Sequence, residues 1–430
     1  SLLCGIAPSL GWLVFFRILQ GVGGGGLSPS EQAILADTFP PAKRGMAMAV
    51  YGMAVVLAPA IGPTLGGFIT DNFSWRWVFF INIPVGIASL LLSNRIVSDP
   101  PHLAEAKKKS GGVDWVGLGL IATGLGCMEV VLDKGQEEDW FHSSFILGFT
   151  IVAVVTLVSF VVWELQQEHP IVDLKMFKTR SFAVANGLML MLGLALYGST
   201  VLLPQYMQVL MGYTAEQSGM ALSPGGVLII LMLPFVGRMV SKVDTRYLVG
   251  LGFSVLSLSL FYMAFTMNTG MDFGTAVALR LYQSVGMAFL FVPIQTISYS
   301  GVPVQKNNQV SGIMNLSRNL GGDIGIAFVT TLIARRSQVH QARLSVHTTA
   351  YDPQYQAKLN AIAGAMEHAG STTADAARQA AGAMYRQLVQ QATQLAYLDA
   401  LFIMGIGAAL MVPILFLTKR PAPMGAAAAH

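Results

Sequence analysis

The stretch FFRILQGVGG, residues 15–24, returns as ALRLYQSVGM, residues 278–287, and the reading of the whole chain follows from that repetition. Sliding residues 17–62 by 263 positions without a gap pairs Arg17 with Arg280, Gln20 with Gln283 and Gln32 with Gln295. It also pairs Pro40 with Pro303, Lys43 with Lys306 and Gly62 with Gly325. Apolar composition alone does not supply shared Arg, Gln, Pro and Lys, so the pattern reads as a duplicated membrane unit. Multi-span halves in parallel orientation characterise secondary transporters, whose substrate sites lie between the repeats near the bilayer midplane.

Composition agrees. Of the 430 residues, 53% are hydrophobic and 11% charged, with a mean hydropathy of +0.58, far too apolar for a soluble globular chain. The basic residues are scattered between apolar runs and form no stripe, which excludes a nucleic-acid surface. Cys4 and Cys127 sit alone in apolar runs, so neither a disulfide framework nor a metal site is indicated.

A helix needs about 20 apolar residues to cross a bilayer. That measure predicts an all-α polytopic membrane protein with about 11 complete spans, near 11–33, 46–70, 77–97, 113–133, 143–164, 182–203, 218–238, 247–267, 274–298, 310–334 and 397–418. The start, SLLCGIAPSLGWL, reads as the interior of a longer protein. Loops on one side carry Lys43, Arg44, Arg95, Lys107, Lys108, Lys109, Lys175, Lys178, Arg180, Arg238, Lys242, Arg246 and Lys306, with Lys419 and Arg420 in the tail. The short loops opposite carry only Arg76 and Lys134, so the first side and the C-terminus are predicted to be cytoplasmic.

Eight spans separate the two copies, where a six-span half would give six. The chain therefore divides into a remnant of an N-terminal helix bundle (1–97), a cytoplasmic linker (98–112), an inserted transmembrane pair (113–165) and a C-terminal bundle (181–334 and 397–418). A periplasmic helical loop (335–396) interrupts that bundle and a cytoplasmic tail (419–430) follows it. The loop is either a docking surface for a partner or a solvated helical hairpin.

An unpaired Arg inside an apolar helix costs roughly 2.5–3.5 kcal/mol on insertion scales. Arg17 either faces a central cavity, relaying protons or holding a carboxylate, or pairs with helix carbonyls to fix packing. The same two readings stand for Arg280. On the helix predicted at 310–334, Asn315, Arg318, Asn319, Gly322 and Asp323 share one face. Asp323 is either a proton-titrating group or an ion-pair partner of Arg318 or Arg17. Glu129 and Glu31 lie closer to span ends, where water is within reach. Gln20, Asn186, Tyr197, Gln205, Gln283 and Gln295 are candidate cavity liners. In the second span, Ala58, Gly62 and Gly66 recur every fourth residue as a smooth face for close helix approach, and Pro59 and Pro63 invite a kink. All seven histidines fall outside the spans and no Gly-Lys occurs, which excludes intramembrane histidine catalysis and a P-loop.

At these residues the chain resembles the major facilitator superfamily, in particular its fourteen-span drug:proton antiporter branch. Arg17 within FFRILQGVGG resembles that branch's fourth-helix Arg motif. APAIGPTLGG, with Ala58, Pro59, Gly62, Pro63, Gly66 and Gly67, resembles its antiporter motif. SWRWVFFINIPVG, HPIVDLKMFKTRSF and GYTAEQSG are similar to the same branch. GRMVSKVDTRYLV echoes the family's cytoplasmic loop motif, with Gly237, Arg238, Lys242, Asp244 and Arg246 as a latch between helices.

The resemblance implies two pseudo-symmetric six-helix halves plus two inserted helices, and a secondary transporter rather than an enzyme. It implies export of hydrophobic toxic compounds against proton entry, with no cofactor beyond the proton gradient. Arg17, Asp323, Arg318 and Arg280 would be the coupling or buried charges. The implied partners are an EmrA-like periplasmic adaptor and a TolC-like outer-membrane channel, in a cell inner membrane. A dedicated exporter of fatty acids, bile salts or a siderophore is the alternative, and a non-transporting scaffold a third reading.

Overall fold

The computed structural model describes residues 1–97, 114–168, 170–300, 302–303 and 306–415. The predicted linker 98–112 and tail 419–430 therefore lie outside the described residues. Every described element is helical: α1 (Leu2–Gly5), α2 (Leu10–Gly24), α3 (Leu27–Thr38), α4 (Pro41–Asn72), α5 (Trp77–Phe80) and α6 (Asn82–Ile96) come first. The pair α7 (Trp115–Lys134) and α8 (Ser144–Gln166) follows, and the two pack chiefly on each other. Then come α9 (Arg180–Met211), α10 (Ala215–Val240), α11 (Thr245–Thr266), α12 (Phe273–Ala288) and α13 (Phe291–Ser298). The chain ends in α14 (Asn307–Ser345), α15 (Pro353–His368) and α16 (Thr373–Ile414). Nine helical segments among the described residues are long and apolar enough to cross a membrane; α4 and α14 are 32 and 39 residues long but outside that set.

Local chemistry sets the ends. Asp114 accepts a hydrogen bond from Gly117 N at the start of α7, Thr214 and Gln217 form a reciprocal capping box on α10, and Asp244 caps α11 through Arg246 N. Gly212, at φ 74°, closes α9 in the left-handed region open to glycine. Asp272 precedes α12, fully exposed, and the Thr275 hydroxyl donating to it holds its carboxyl below the usual range.

Three predicted spans are not single helices. The span at 11–33 breaks at Gly25 and Gly26, that at 77–97 at Ile81, and that at 274–298 at Phe289 and Leu290. The loop predicted at 335–396 is not separate from its neighbours either, because α14 and α16 run through both of its boundaries. At 1.5 Å per residue these helices are about 58 and 63 Å long, about twice the hydrocarbon thickness, so each projects well beyond the bilayer. Asp399 of α16 ties them together where they leave it, accepting from Arg336 Nε at 2.6 Å and lying 2.6 Å from His340 Nε2.

The core lies in the second repeat, where α9 and α14 pack most extensively. Their approach depends on glycine. A Cβ at Gly193 would overlap the Arg318 carbonyl, one at Gly321 would overlap the Leu190 carbonyl, and one at Gly325 would fall 2.6 Å from the Leu194 carbonyl. The obstructing atoms are backbone, so no rotamer change relieves them. Gly321→Ala is therefore expected to lower stability by about 1–3 kcal/mol, read as a lower unfolding midpoint of the purified protein in detergent. Gly187→Ala, on α9 with nothing within 4 Å of its Cβ, is expected to leave that midpoint unchanged.

Candidate functional site between and within the repeats

The sequence repeat recurs as a structural repeat. Arg17 Nη1 donates to Gln20 Oε1 at 3.1 Å, and Arg280 Nη1 donates to Gln283 Oε1 at 2.5 Å, so each matched arginine is held by the glutamine one turn on. Their surroundings differ. Arg17 is exposed among the described residues, with its guanidinium 4.7 Å from the Phe79 ring centroid. Arg280 is buried, and its Nη2 reaches Thr200 Oγ1 on α9 at 3.3 Å.

The first repeat meets the second along a polar seam. Asn307 donates to Asp37 at 2.7 Å and Ser311 to the Pro29 carbonyl at 2.9 Å. Deeper in, Ser28 donates to Asn315 at 3.2 Å and its hydroxyl lies 2.5 Å from that of Tyr51, to which Gln32 also donates. Arg318 Nη2 donates to the same Asn315 oxygen at 2.9 Å, and its guanidinium lies 5.9 Å from the Phe291 centroid. Alongside, α4 packs on α10 so closely that a Cβ at Gly45 would fall 3.0 Å from the Gly237 carbonyl. Of the latch residues, Gly237 thus makes an inter-repeat contact. Arg238 occupies the last turn of α10, Lys242 follows in the turn, and Asp244 and Arg246 cap α11.

The motif glycines further along α4 stand apart from this seam. Nothing lies within 4 Å of a Cβ built at Gly62, Gly66 or Gly67, whereas Gly52 touches Phe291 and Leu233. Close contacts of α4 with the second repeat are made at Gly45 and Gly52. Ala58, Pro59 and Pro63 lie within the same uninterrupted helix.

Asp323 makes an ion pair with neither Arg318 nor Arg17 among the described residues. Its carboxyl lies beside that of Glu129 on α7, where the inserted pair meets α14. Proximity to a span end had set Glu129 aside; the contact crosses between distant segments and leaves no local signal. Ser28 and Tyr51 were also missed, although a hydroxyl at each position of an apolar helix was the visible sign.

The polar candidates are held by separate partners. Asn186 is buried, donating to the Phe182 carbonyl and accepting from Ser317. Tyr197 packs on Gly322, Gln20 accepts from Arg17, and Gln205 and Gln295 each keep an unpaired Oε1. Two apolar cavities lie elsewhere, one of about 180 Å³ among Met191, Phe253, Phe328 and Met404, the other of about 330 Å³ between Leu132, Trp140 and α14. None of the six candidates borders either one.

A helical chain built of two repeats that meet at a polar intramembrane seam is a transporter architecture, and the comparisons identify the family. The model of the Major Facilitator Superfamily matches residues 1–326, and the chain belongs to that superfamily. It is a multi-pass membrane transporter rather than an enzyme. It is 38% identical over 361 residues to the multidrug export protein EmrB of Escherichia coli (strain K12), covering 84% of this chain and 70% of that one. It is 37% identical over 422 residues to the fatty acid resistance protein FarB of Neisseria gonorrhoeae, covering 98% and 80%. A solved bacterial homologue of the human lysosomal transporter Spinster, inward-facing and occupied, aligns with 98% of this chain and 81% of its own at a TM-score of 0.48 and 17% identity.

Asn315 joins the seam to Arg318, so its removal leaves a buried guanidinium short of an acceptor. Asn315→Ala is expected to lower stability by about 1–3 kcal/mol in a thermal melt of the detergent-solubilised protein. Asn315→Asp, which keeps an acceptor for Ser28 and Arg318, is expected to fall by less.

Proposed function

We propose that the chain is a proton-driven exporter of hydrophobic toxic compounds, working by alternating access in a cell inner membrane. The observation that carries this reading is the arginine–glutamine pair held by the same hydrogen bond in both repeats. Ionisable groups inside membrane helices are costly, and transporters place them on ion and substrate paths. A seam between the repeats made of hydrogen bonds that water can replace supports the rocking of one repeat against the other. The relatives named for multidrug export support the direction of transport. In this reading the proton gradient is the energy source and no cofactor takes part.

The proposal extends to a tripartite export system, with an EmrA-like periplasmic adaptor and a TolC-like outer-membrane channel as partners and the C-terminus in the cytoplasm. The projecting ends of α14 and α16, with α15 between them, form the surface assigned to the adaptor. A dedicated exporter of fatty acids, bile salts or a siderophore is the second reading. It is favoured by a buried arginine, Arg280, that has no carboxylate partner among the described residues, and by the match to FarB over nearly the whole chain.

Dye efflux from cells expressing the full-length protein, with and without a protonophore, tests the proposal. Efflux is expected to collapse with the gradient. At normal expression Arg17→Ala is expected to reduce it to the level of cells lacking the pump, and Asp323→Asn to weaken its dependence on external pH. Efflux that persists without the gradient removes proton coupling, and absence of dye efflux with retained export of dodecanoate moves the protein to the second reading.

A further inference from the structure

Arg280 is 6% exposed, Gln283 and Ser284 are 0% exposed, and all three lie on one face of α12 at i, i+3 and i+4. The two Nη atoms of Arg280 are taken by Gln283 and Thr200, neither of which carries charge. Among the described residues its Nε has no partner, nor has Gln283 Nε2, nor the Ser284 hydroxyl, which does not bond back to its own helix. Three hydrogen-bonding groups thus point from one helix face with nothing to receive them, two of them capable only of donating. No described carboxylate lies within ion-pair distance of the guanidinium. The wall opposite is Gly225 of α10, where a side chain would run into Ser284 Oγ and lie 2.8 Å from Arg280 Cγ. The glycine keeps that wall bare beside the unpaired Nε.

A buried cation with surplus donors around it lacks an anion. Helix packing alone gives no reason for the arrangement, since an apolar side chain at position 280 would fill the same place without the unpaired groups. Arginine suits the role because its planar fork keeps its charge and can offer parallel N–H groups to a carboxylate.

We propose that Arg280, Gln283 and Ser284, facing the bare backbone of Gly225, form a binding site for the carboxylate of an amphiphilic organic anion. The guanidinium Nε and the Gln283 amide donate to the carboxylate oxygens, the Ser284 hydroxyl adds a third donor, and the apolar tail lies among the neighbouring helices. Entry requires α10 and α12 to part, since the donors are covered in this conformation. The site rests on the exporter reading only for its use in transport; binding is measured separately.

The test is a scintillation-proximity assay on the purified full-length protein in neutral detergent, with labelled dodecanoate competed by dodecanoate or dodecan-1-ol. Wild type is expected to prefer the acid by about tenfold or more, as a charged hydrogen bond predicts. Arg280→Gln is expected to abolish that preference while leaving dodecan-1-ol binding unchanged. Arg378→Gln, which removes an exposed positive charge on α16, is expected to retain it. Should Arg280→Gln fail to yield monodisperse protein, Ser284→Ala and Gly225→Ala decide the matter: each is expected to weaken dodecanoate by severalfold and spare the alcohol. Equal binding of acid and alcohol by wild type, or an undiminished preference in these variants, overturns the site. Acid-selective binding without gradient-driven efflux leaves the site standing and removes the exporter reading; dye efflux without acid selectivity does the reverse.

Discussion

A polar group placed in hydrocarbon must find its partner inside the protein, because no water is there to take its place. That constraint explains more of this structure than apolar burial does, since lipid tails reward burial of a leucine no more than a neighbouring helix does. The helices are held where backbone meets backbone through glycine and where side-chain hydrogen bonds cross from one helix to another. Arg280 and Arg318 each spend a guanidinium arm on an amide one turn away, Gln283 and Asn315 respectively. Each amide oxygen is thereby engaged, while the Gln283 amide nitrogen stays available to another partner.

The same constraint accounts for what was legible in the sequence. An apolar run of about 20 residues has one stable form in a bilayer, so the positions of the helices were readable from hydropathy. The repeat was readable because Arg, Gln and Lys are rare in such runs and their coincidence cannot come from composition. Helix ends were not readable in the same way. Arg335 and Arg336 announce an exit from the membrane, but they do not stop α14, because long basic side chains and the Ala- and Gln-rich sequence beyond favour continued helix. Gly25 and Gly26 do break a span, where two residues without side chains leave the backbone free to turn.

The candidate site was legible only in part, and the division follows the range of the contacts. Arg17 with Gln20, and Arg280 with Gln283, are pairs one helical turn apart that any reading at helical spacing brings together. Glu129 with Asp323, Ser28 with Asn315 and Asp37 with Asn307 join residues from distant segments. Nothing local in the chain signals these pairings. They depend on how α9 and α14 close over Gly193, Gly321 and Gly325, since that contact fixes the rotation of α14 and hence which of its polar residues meet the first repeat.

The seam between repeats is also unequal along its length, and its chemistry gives the reason. Where the repeats are hydrogen-bonded, the contacts are between amides, hydroxyls, a carboxylate and a backbone carbonyl, all groups that water satisfies equally well once the seam opens. Such hydrogen bonds differ little in free energy between the joined and the hydrated state, about 0.5–1.5 kcal/mol each. Further along α4, Leu57, Ile61, Leu65 and Phe68 are exposed apolar side chains, which can close against another helix without needing a polar partner. The hydrogen-bonded stretch thus separates into water at small cost, and the apolar one asks for no exchange of hydrogen bonds. Along α4 the change falls between Gly45 and Gly52, which meet the second repeat, and Gly62, Gly66 and Gly67, whose Cβ positions have no described atom within 4 Å.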